Sequence, residues 1–287
     1  MPDTGGVRRP GKMAGMTNPE FRTDLYRGIA GYYDAFRPPY PAELIGDLAD
    51  RTGADGTRRL LDLACGTGQV SFALRDRFAE IWAVDQEPAM IAVARQKAAA
   101  AGEVARWRFV TAGAAQLNAP HQAFSLITIG NAFHRLPRAA VAARIRDWLT
   151  PAGHLALIWG GSPADGDAGW QQALRETTKR WQQRTGRAER IPAGYEAERA
   201  ARPDAEILRA AGLEVIGRFE FAVSTRWTAD SIAGYLASTS VLSPVALGES
   251  AAGFDQDLRG ELHAAEPGGE FRQESAFAYD LARRRPA

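Results

Sequence analysis

The chain alternates short apolar runs with longer amphipathic ones. Arg59-Leu-Leu-Asp-Leu-Ala64 is a compact apolar run before glycines, and it reads as a buried strand. The same pattern recurs at Glu80–Asp85, Trp107–Thr111, Phe124–Gly130 and Gly153–Trp159. Helical segments fall between them. Val70, Leu74 and Phe78 share one face of a helix over residues 69–78, and Pro88 opens another that runs to Ala101. Val141, Ile145, Trp148 and Leu149 line one face of a third. Upstream, Phe21–Phe36 and Ala42–Thr52 read as helices, separated by Arg37-Pro-Pro-Tyr-Pro41, where paired prolines stop a helix. Strands separated by helices predict an α/β fold with a doubly wound, mostly parallel sheet.

After Trp159 the pattern changes. Residues 161–200 carry Trp170, Trp181 and Tyr195 among many polar positions and read as a helical insertion. A helix is expected over residues 205–211, a strand over 214–225, a helix over 228–236, and a final strand within 270–281. The expected organisation is a disordered tail over 1–20, a helical lid over 21–58 and a nucleotide-binding core over 59–160. A helical cap over 161–200 and the C-terminal part of the core sheet over 201–287 complete it.

Composition narrows the partners. Thirty-five basic residues face 34 acidic ones, a net charge of +1, so no global field favours nucleic acid or an acidic membrane. The single cysteine, Cys65, permits no disulfide within the chain, which fits the cytoplasm. No apolar stretch is long enough to span a membrane. No His/Cys cluster has metal-ligand spacing, so no metal is expected. In an open α/β sheet, ligands bind beyond the carboxyl ends of the strands. The loop Asp62-Leu-Ala-Cys-Gly-Thr-Gly-Gln69 lies at such an end. Its glycines permit positive φ and close approach, and the next helix offers free N–H groups. Asp85 closes the second strand, where an acid accepts both hydroxyl protons of a ribose. Cys65 reads as a small packing residue. The loop alone does not name its nucleotide. Read as Gly66-x-Gly68-x-x-Ser71 it approximates a nicotinamide fingerprint that lacks its third glycine. The carboxylate of Asp62 would oppose a pyrophosphate and suits a cationic group instead.

Leu60–Gln69 resembles the first motif of class I methyltransferases that depend on S-adenosyl-L-methionine (SAM), with Ala64 in place of the usual first glycine. Val84-Asp-Gln86 resembles the second motif, and Leu149-Thr-Pro-Ala-Gly153 the segment before strand five. Tyr32–Pro41 is similar to the opening of a small-molecule subgroup that includes trans-aconitate methyltransferases. Arg226-Trp-Thr228 and Tyr235–Thr239 extend the likeness, which spans most of residues 21–285.

The resemblance implies a seven-stranded Rossmann-like methyltransferase fold, SAM as cofactor and S-adenosyl-L-homocysteine as product. It implies Asp62 near the methionine amino group, with Ala64, Gly66, Thr67 and Gly68 lining the cofactor. Asp85 would hold the ribose, with Gln86 and Met90 beside it. Gly113, Ala114 and Ala115 would border the adenine; many relatives place an acid at the position of Gly113, and here backbone groups of Gly113 and Ala114, or else Gln116, would read the adenine edge. Asn131 and Ala132 would lie near the transferable methyl, and Tyr33 and Arg37 would form a lid. His134, in the same segment as Asn131, is the expected catalytic base or pocket-shaping residue. The expected function is methyl transfer to an amine or hydroxyl of a small polar metabolite, such as an amino sugar or antibiotic precursor in specialised metabolism. A nicotinamide-dependent oxidoreductase and a non-catalytic SAM-binding protein are the alternatives. No nucleic acid or membrane partner is expected, and the chain is expected to be a monomer or homodimer.

Overall fold

The computed structural model describes residues 24–190 and 192–285; the expected N-terminal tail lies outside them. Two helices lead in, α1 (Ala30–Phe36) and α2 (Ala42–Arg51). The core then alternates β1 (Arg59–Leu63), α3 (Gln69–Leu74), β2 (Glu80–Asp85), α4 (Pro88–Ala100) and β3 (Trp107–Thr111). It continues through β4 (Phe124–Gly130), α5 (Arg138–Trp148) and β5 (Leu149–Trp159). Three helices follow, α6 (Gly169–Arg184), α7 (Tyr195–Ala201) and α8 (Asp204–Ala210). The chain closes with β6 (Leu213–Trp227), α9 (Ala229–Ala237), α10 (Pro244–Leu247), α11 (Ala251–Ala265) and β7 (Phe271–Arg284).

The seven strands form one sheet in the order β3-β2-β1-β4-β5-β7-β6. β1 to β5 are parallel, and β7 runs antiparallel between β5 and β6. Successive strand residues point to opposite faces, so Leu60 and Ile81 join a core with α2 and α3, while Leu61 and Val84 join one with α5 and α8. Burial on both faces explains why β1 and β4 read as unbroken apolar runs.

Several boundaries differ from the pattern-based reading, each for a local reason. The first helix begins at Ala30, because Gly28 takes a left-handed conformation (φ 78°) that ends the preceding turns. The helix after the glycine loop stops at Leu74 and tightens into a 3-10 turn over Arg75–Arg77. Its apolar face persists regardless, with Val70, Leu74 and Phe78 all buried. β5 starts earlier, at Leu149, after a register shift in β4 between Phe124 and Leu126. Gly153 makes that irregularity possible, since a Cβ there would stand 2.9 Å from the Phe124 carbonyl.

Trp170 and Trp181 of α6 pack against Phe271 and Phe254 in a separate helical core with α9 and α11. They line neither of the two cavities beside the glycine loop. α11 is absent from the pattern-based reading. Its apolar face is narrow, Phe254, Leu258 and Leu262 at every fourth position, and two glycines dilute the signal. Gly253 lets Trp181 lie close: a Cβ there would be 3.2 Å from the indole.

Candidate cofactor site

The loop after β1 turns sharply through three left-handed residues, Ala64 (φ 56°), Gly66 (φ 56°) and Gly68 (φ 87°). Glycine accepts this conformation freely, whereas alanine is strained by about 1–2 kcal/mol. The Cys65 N–H donates to the Val84 carbonyl (3.0 Å) and the Gly68 N–H to the Cys65 carbonyl (2.9 Å), which sets the turn against β2. The Cys65 thiol is buried, and burial together with the charges of Asp62 and Asp85 pushes its pKa well up. It is a packing group at neutral pH, not a nucleophile.

Asp62 and Asp85 divide the work. Asp62 is buried; Oδ2 accepts from the Ser71 N–H (3.1 Å) and hydroxyl, and Oδ1 accepts from the Thr128 hydroxyl at 2.9 Å. The β1–β4 register sets Thr128 opposite Asp62. Burial raises the Asp62 pKa to about 6 against the opposing pull of these hydrogen bonds. Asp62 lies behind the loop and ties it to α3 and β4. Asp85 faces the other way, onto the main cavity. Its Oδ2 accepts from the Gly66 N–H and its Oδ1 from the Glu87 N–H, each at 2.9 Å. A carboxylate has about four acceptor positions, so Asp85 keeps capacity for a ligand beside its backbone donors. Burial raises its pKa above the usual carboxylate range despite the backbone donors.

That cavity measures about 280 Å³. Of the expected site residues, Tyr33, Ala64, Gly66, Asp85, Gln86 and Met90 line it, as do Gly113, Ala114, Ala115, Asn131 and Ala132. Thr67 and Gly68 do not. Thr67 is buried, and its carbonyl accepts from Lys97 Nζ at 3.2 Å. Gly68 is the N-cap of α3, with Phe72 3.0 Å from where its Cβ would stand. A smaller chamber of about 20 Å³ adjoins and shares Tyr33 and Asn131; Arg37, Tyr40 and Gln69 are among its walls.

The N-terminal helix is strapped across this region. The Tyr33 ring lies over Gly66, 3.1 Å from its Cβ position, and burial pushes the phenol up to about 12. Asp34 pairs with Lys97 at 2.7 Å. Arg37 donates to the Ser238 hydroxyl (2.8 Å), the Ser238 carbonyl (3.2 Å) and the Tyr235 hydroxyl (3.2 Å), which fixes α1 to α9.

Asn131 (φ 49°) exchanges two hydrogen bonds with Gly160, at 2.9 and 3.1 Å, and so clamps the ends of β4 and β5. His134 lies in the next 3-10 turn, Phe133–Arg135, and does not line the cavity. Its ring packs beside Trp159 and Tyr195 (centroids 5.8 and 6.2 Å), and Nε2 accepts from Arg135 Nε at 3.1 Å. Burial, then the charges of Arg135, Arg199 and Arg138, lower its pKa to about 3. Arg135 itself lines the cavity and donates to the hydroxyls of Tyr26 and Ser240. Gln116, a candidate for the adenine edge, also lines the cavity, whereas Leu25, Tyr26 and Arg135 are cavity residues that sequence reasoning did not assign. The one available signal was the turn after β4, where adjacent residues point to different walls.

Together, the glycine loop, the acid ending β2 and a cavity at the carboxyl edge of a doubly wound sheet define a nucleotide-binding α/β protein. The antiparallel β7 inserted before β6 separates this sheet from the dinucleotide-binding order 3-2-1-4-5-6. Residues 60–153 match the family model described as a methyltransferase domain. The chain is 31% identical over 151 residues to an uncharacterized methyltransferase of Mycobacterium bovis, covering 53% of this chain and 57% of that one. It is 37% identical over 116 residues to the demethylmenaquinone methyltransferase of Thermus thermophilus, covering 39% of this chain and 51% of that one. Over 65 residues it is 43% identical to the trans-aconitate 2-methyltransferase of a Mycobacterium species, 21% of this chain and 26% of that one. The chain thus spans about half the length, or less, of these curated relatives.

Among solved structures, a protein of Anaeromyxobacter dehalogenans provisionally described as a type II methyltransferase superposes with a TM-score of 0.61 at 22% identity, covering 88% of this chain and 98% of that one. The 4+2 cyclase SpnF superposes with a TM-score of 0.50 at 20% identity, covering 92% and 93%. Residues 60–153 thus match a methyltransferase domain, and the fold of the chain agrees with that match. Among the described residues, no helix is long and apolar enough to cross a membrane.

Proposed function

We propose that the chain binds SAM in the main cavity and transfers its methyl group to an amine or hydroxyl of a small polar metabolite. The observation that carries this reading is the position of Asp85. It faces the cavity from the end of β2 with acceptor capacity to spare, beside a glycine loop inside the matched methyltransferase segment.

In this reading Asp85 accepts the ribose hydroxyls, and Gln86 and Met90 flank the ribose and base. Gly113, Ala114 and Ala115 border the adenine. Ala64 and Gly66 bring backbone against the cofactor, while Thr67 and Gly68 hold the loop from behind. Asp62 supplies a negative charge behind the methionine end, transmitted through the loop it anchors. Tyr33 and Arg37 close the cavity from α1, and Asn131 and Ala132 form the wall nearest the reacting end. Bound SAM supplies a methyl group already activated by a positive sulfur, so the protein chiefly aligns the acceptor and excludes water. His134 serves as a neutral shaping residue: a group with so low a pKa is a poor proton acceptor from an amine or alcohol.

The relatives' names span a quinone precursor and a carboxylic acid. An amino sugar or antibiotic precursor is the acceptor class we favour from the subgroup resemblance. The same fold in a cyclase means that the fold does not name the reaction.

Calorimetry with S-adenosyl-L-homocysteine, then a labelled-SAM screen against polar metabolites with the methyl site located by NMR, tests the proposal. Submillimolar binding and labelled product are expected. Tight binding without transfer to any acceptor would favour a non-catalytic role. Binding of NAD in place of S-adenosyl-L-homocysteine would overturn the SAM assignment.

A further inference from the structure

The sheet ends in two unlike edges. β3, at one end, has 5 residues, and Arg108 and Arg95 lie over the Trp82 and Phe109 rings there. A short edge dressed with cations resists pairing with another strand. β6, at the other end, has 15 residues and bonds to β7 along one side only. Its register shift, between Val215 and Gly217, comes early, and residues 217–227 run on without proline or lysine. Helices meet β6 near its start: Ile207 and Leu208 of α8 share a core with Leu213, and the Arg51 guanidinium of α2 lies 3.9 Å from the Phe219 ring centroid. Beyond them the outer backbone N–H and C=O groups have no strand partner among the described residues.

The two faces of this strand differ. Phe219, Phe221 and Val223 are half-buried against the core beneath α2 and leave apolar surface along the edge. Arg218, Glu220, Ala222, Ser224 and Arg226 point the other way and are exposed. Arg226 stands directly across from Arg272 of β7, and like charges at such a position repel. Arg272 pairs with Glu270 at 3.6 Å, whereas Arg226 has no such carboxylate among the described residues.

A second β6, laid antiparallel about a two-fold axis at Val223, supplies what this edge lacks. On the apolar face Val223 meets Val223, Phe221 meets Thr225 and Phe219 meets Trp227. On the polar face Ala222 meets Ser224 and Glu220 meets Arg226, each twice by symmetry. Other registers fit less well. Centred on Ala222, Arg218 faces Arg226; centred on Glu220, the glutamates face each other. Centred on Phe221 or Ser224, neither Glu220 nor Arg226 meets an opposite charge. Centred on Phe219, Arg218 meets Glu220, but the ladder runs into the shift at 215–217. A half-step sets the apolar face of one strand against the polar face of the other.

We propose that two copies of the chain associate through β6, antiparallel and centred on Val223, so that their sheets join into one. No β6 residue lines the main cavity, so this surface is independent of the SAM reading.

Sedimentation velocity and light scattering over a concentration series read the oligomeric state of the full chain. Wild type should be a concentration-dependent dimer. Val223→Lys places two cations at the axis and should leave a monomer. Glu220→Arg and Arg226→Glu each turn both attractive pairs into repulsive ones and should weaken association about tenfold. Mixing those two variants sets opposite charges across the axis again, and a heterodimer of near wild-type affinity should form. A wild type that stays monomeric throughout would overturn the proposal; slow amide exchange over 217–227 in that monomer would show the edge covered by another segment of its own chain. A dimer that withstands Val223→Lys, or charge reversals that mixing does not rescue, would overturn it equally. Thermal unfolding should change little for substitutions at the exposed positions 220 and 226, so the mixing experiment separates lost association from lost fold.

Discussion

The edge of the sheet that carries β1, β2 and β3 and the layer of α6, α9 and α11 are both well packed, yet they are built from different materials. Beside β1 to β3 the cavity wall is mostly backbone, small side chains and a carboxylate, with a second acid behind it. The turn at Ala64–Gly68, Asp62 on Ser71 and Thr128, and Asp85 on Gly66 and Glu87 are all local or adjacent-strand relations. The helical layer is made of large aromatics meeting across long stretches of chain: Trp170 with Phe271, Trp181 with Phe254, and the Trp181 indole with Asp257 at 3.1 Å. The first region gains precision by leaving side chains out, and the second gains stability by putting them in. A substitution should therefore damage binding in one and folding in the other.

Trp181→Ala is the most severe way to test that division. Truncating a buried tryptophan costs about 3–5 kcal/mol, so the melting temperature should fall steeply while the folded fraction keeps its affinity for S-adenosyl-L-homocysteine. Parallel loss of affinity would show that the two regions are not separable. Asp85→Ala should do the reverse. Two charge-assisted hydrogen bonds at about 1.5 kcal/mol each correspond to about a hundredfold weaker S-adenosyl-L-homocysteine binding. Wild-type affinity by calorimetry would remove Asp85 from the ribose.

His134→Ala lies on the border between the regions. Affinity for S-adenosyl-L-homocysteine should hold while methyl transfer drops about tenfold, a shaping effect smaller than the loss of a general base. No inflection near pH 6–7 should belong to this residue, because its imidazole is neutral throughout that range. An inflection there that vanishes in the variant would restore it as the base.

Asp62 gives a smaller effect visible in the ligand-free protein. Its folded pKa of about 6 is above the ordinary carboxylate value, so between about pH 4 and pH 6 the folded state holds the proton more tightly than the unfolded one. Its contribution to stability is then greatest below pH 4, declines as pH rises, and levels off above pH 6. Asp62→Asn should flatten that part of a melting-temperature profile; an unaltered slope would assign it to other groups. Ala64→Gly is the mildest change. Relief of left-handed strain should stabilise the fold by about 1 kcal/mol. A lower melting temperature would show that the Ala64 methyl packs more usefully than its backbone is strained.

The same contrast explains what could be read from the sequence. Strands buried on both faces announce themselves as apolar runs, and a left-handed turn announces itself as glycine. β1, β2 and β4 and the loop at 64–68 were legible for those reasons, including the acid at Asp85. The structure sets five parallel strands beside β7 and β6 as expected for a seven-stranded methyltransferase sheet. α11 was not legible, because its narrow apolar stripe has meaning only once Trp181 is opposite it. Nor were the separate directions of His134 and Arg135, neighbours in one 3-10 turn that send side chains to different walls.

The placement of β7 has a consequence for synthesis. β6 pairs with β7 along fourteen positions, and β7 also pairs with β5. During translation β6 emerges well before its neighbour, with a long exposed edge and no partner. At about 5–20 residues per second, the ribosome leaves that edge open for seconds until Phe271–Arg284 is released to slot between β5 and β6. The nucleotide-binding half can form while the nascent chain is still attached, but the sheet is completed only as its last strand leaves the exit tunnel.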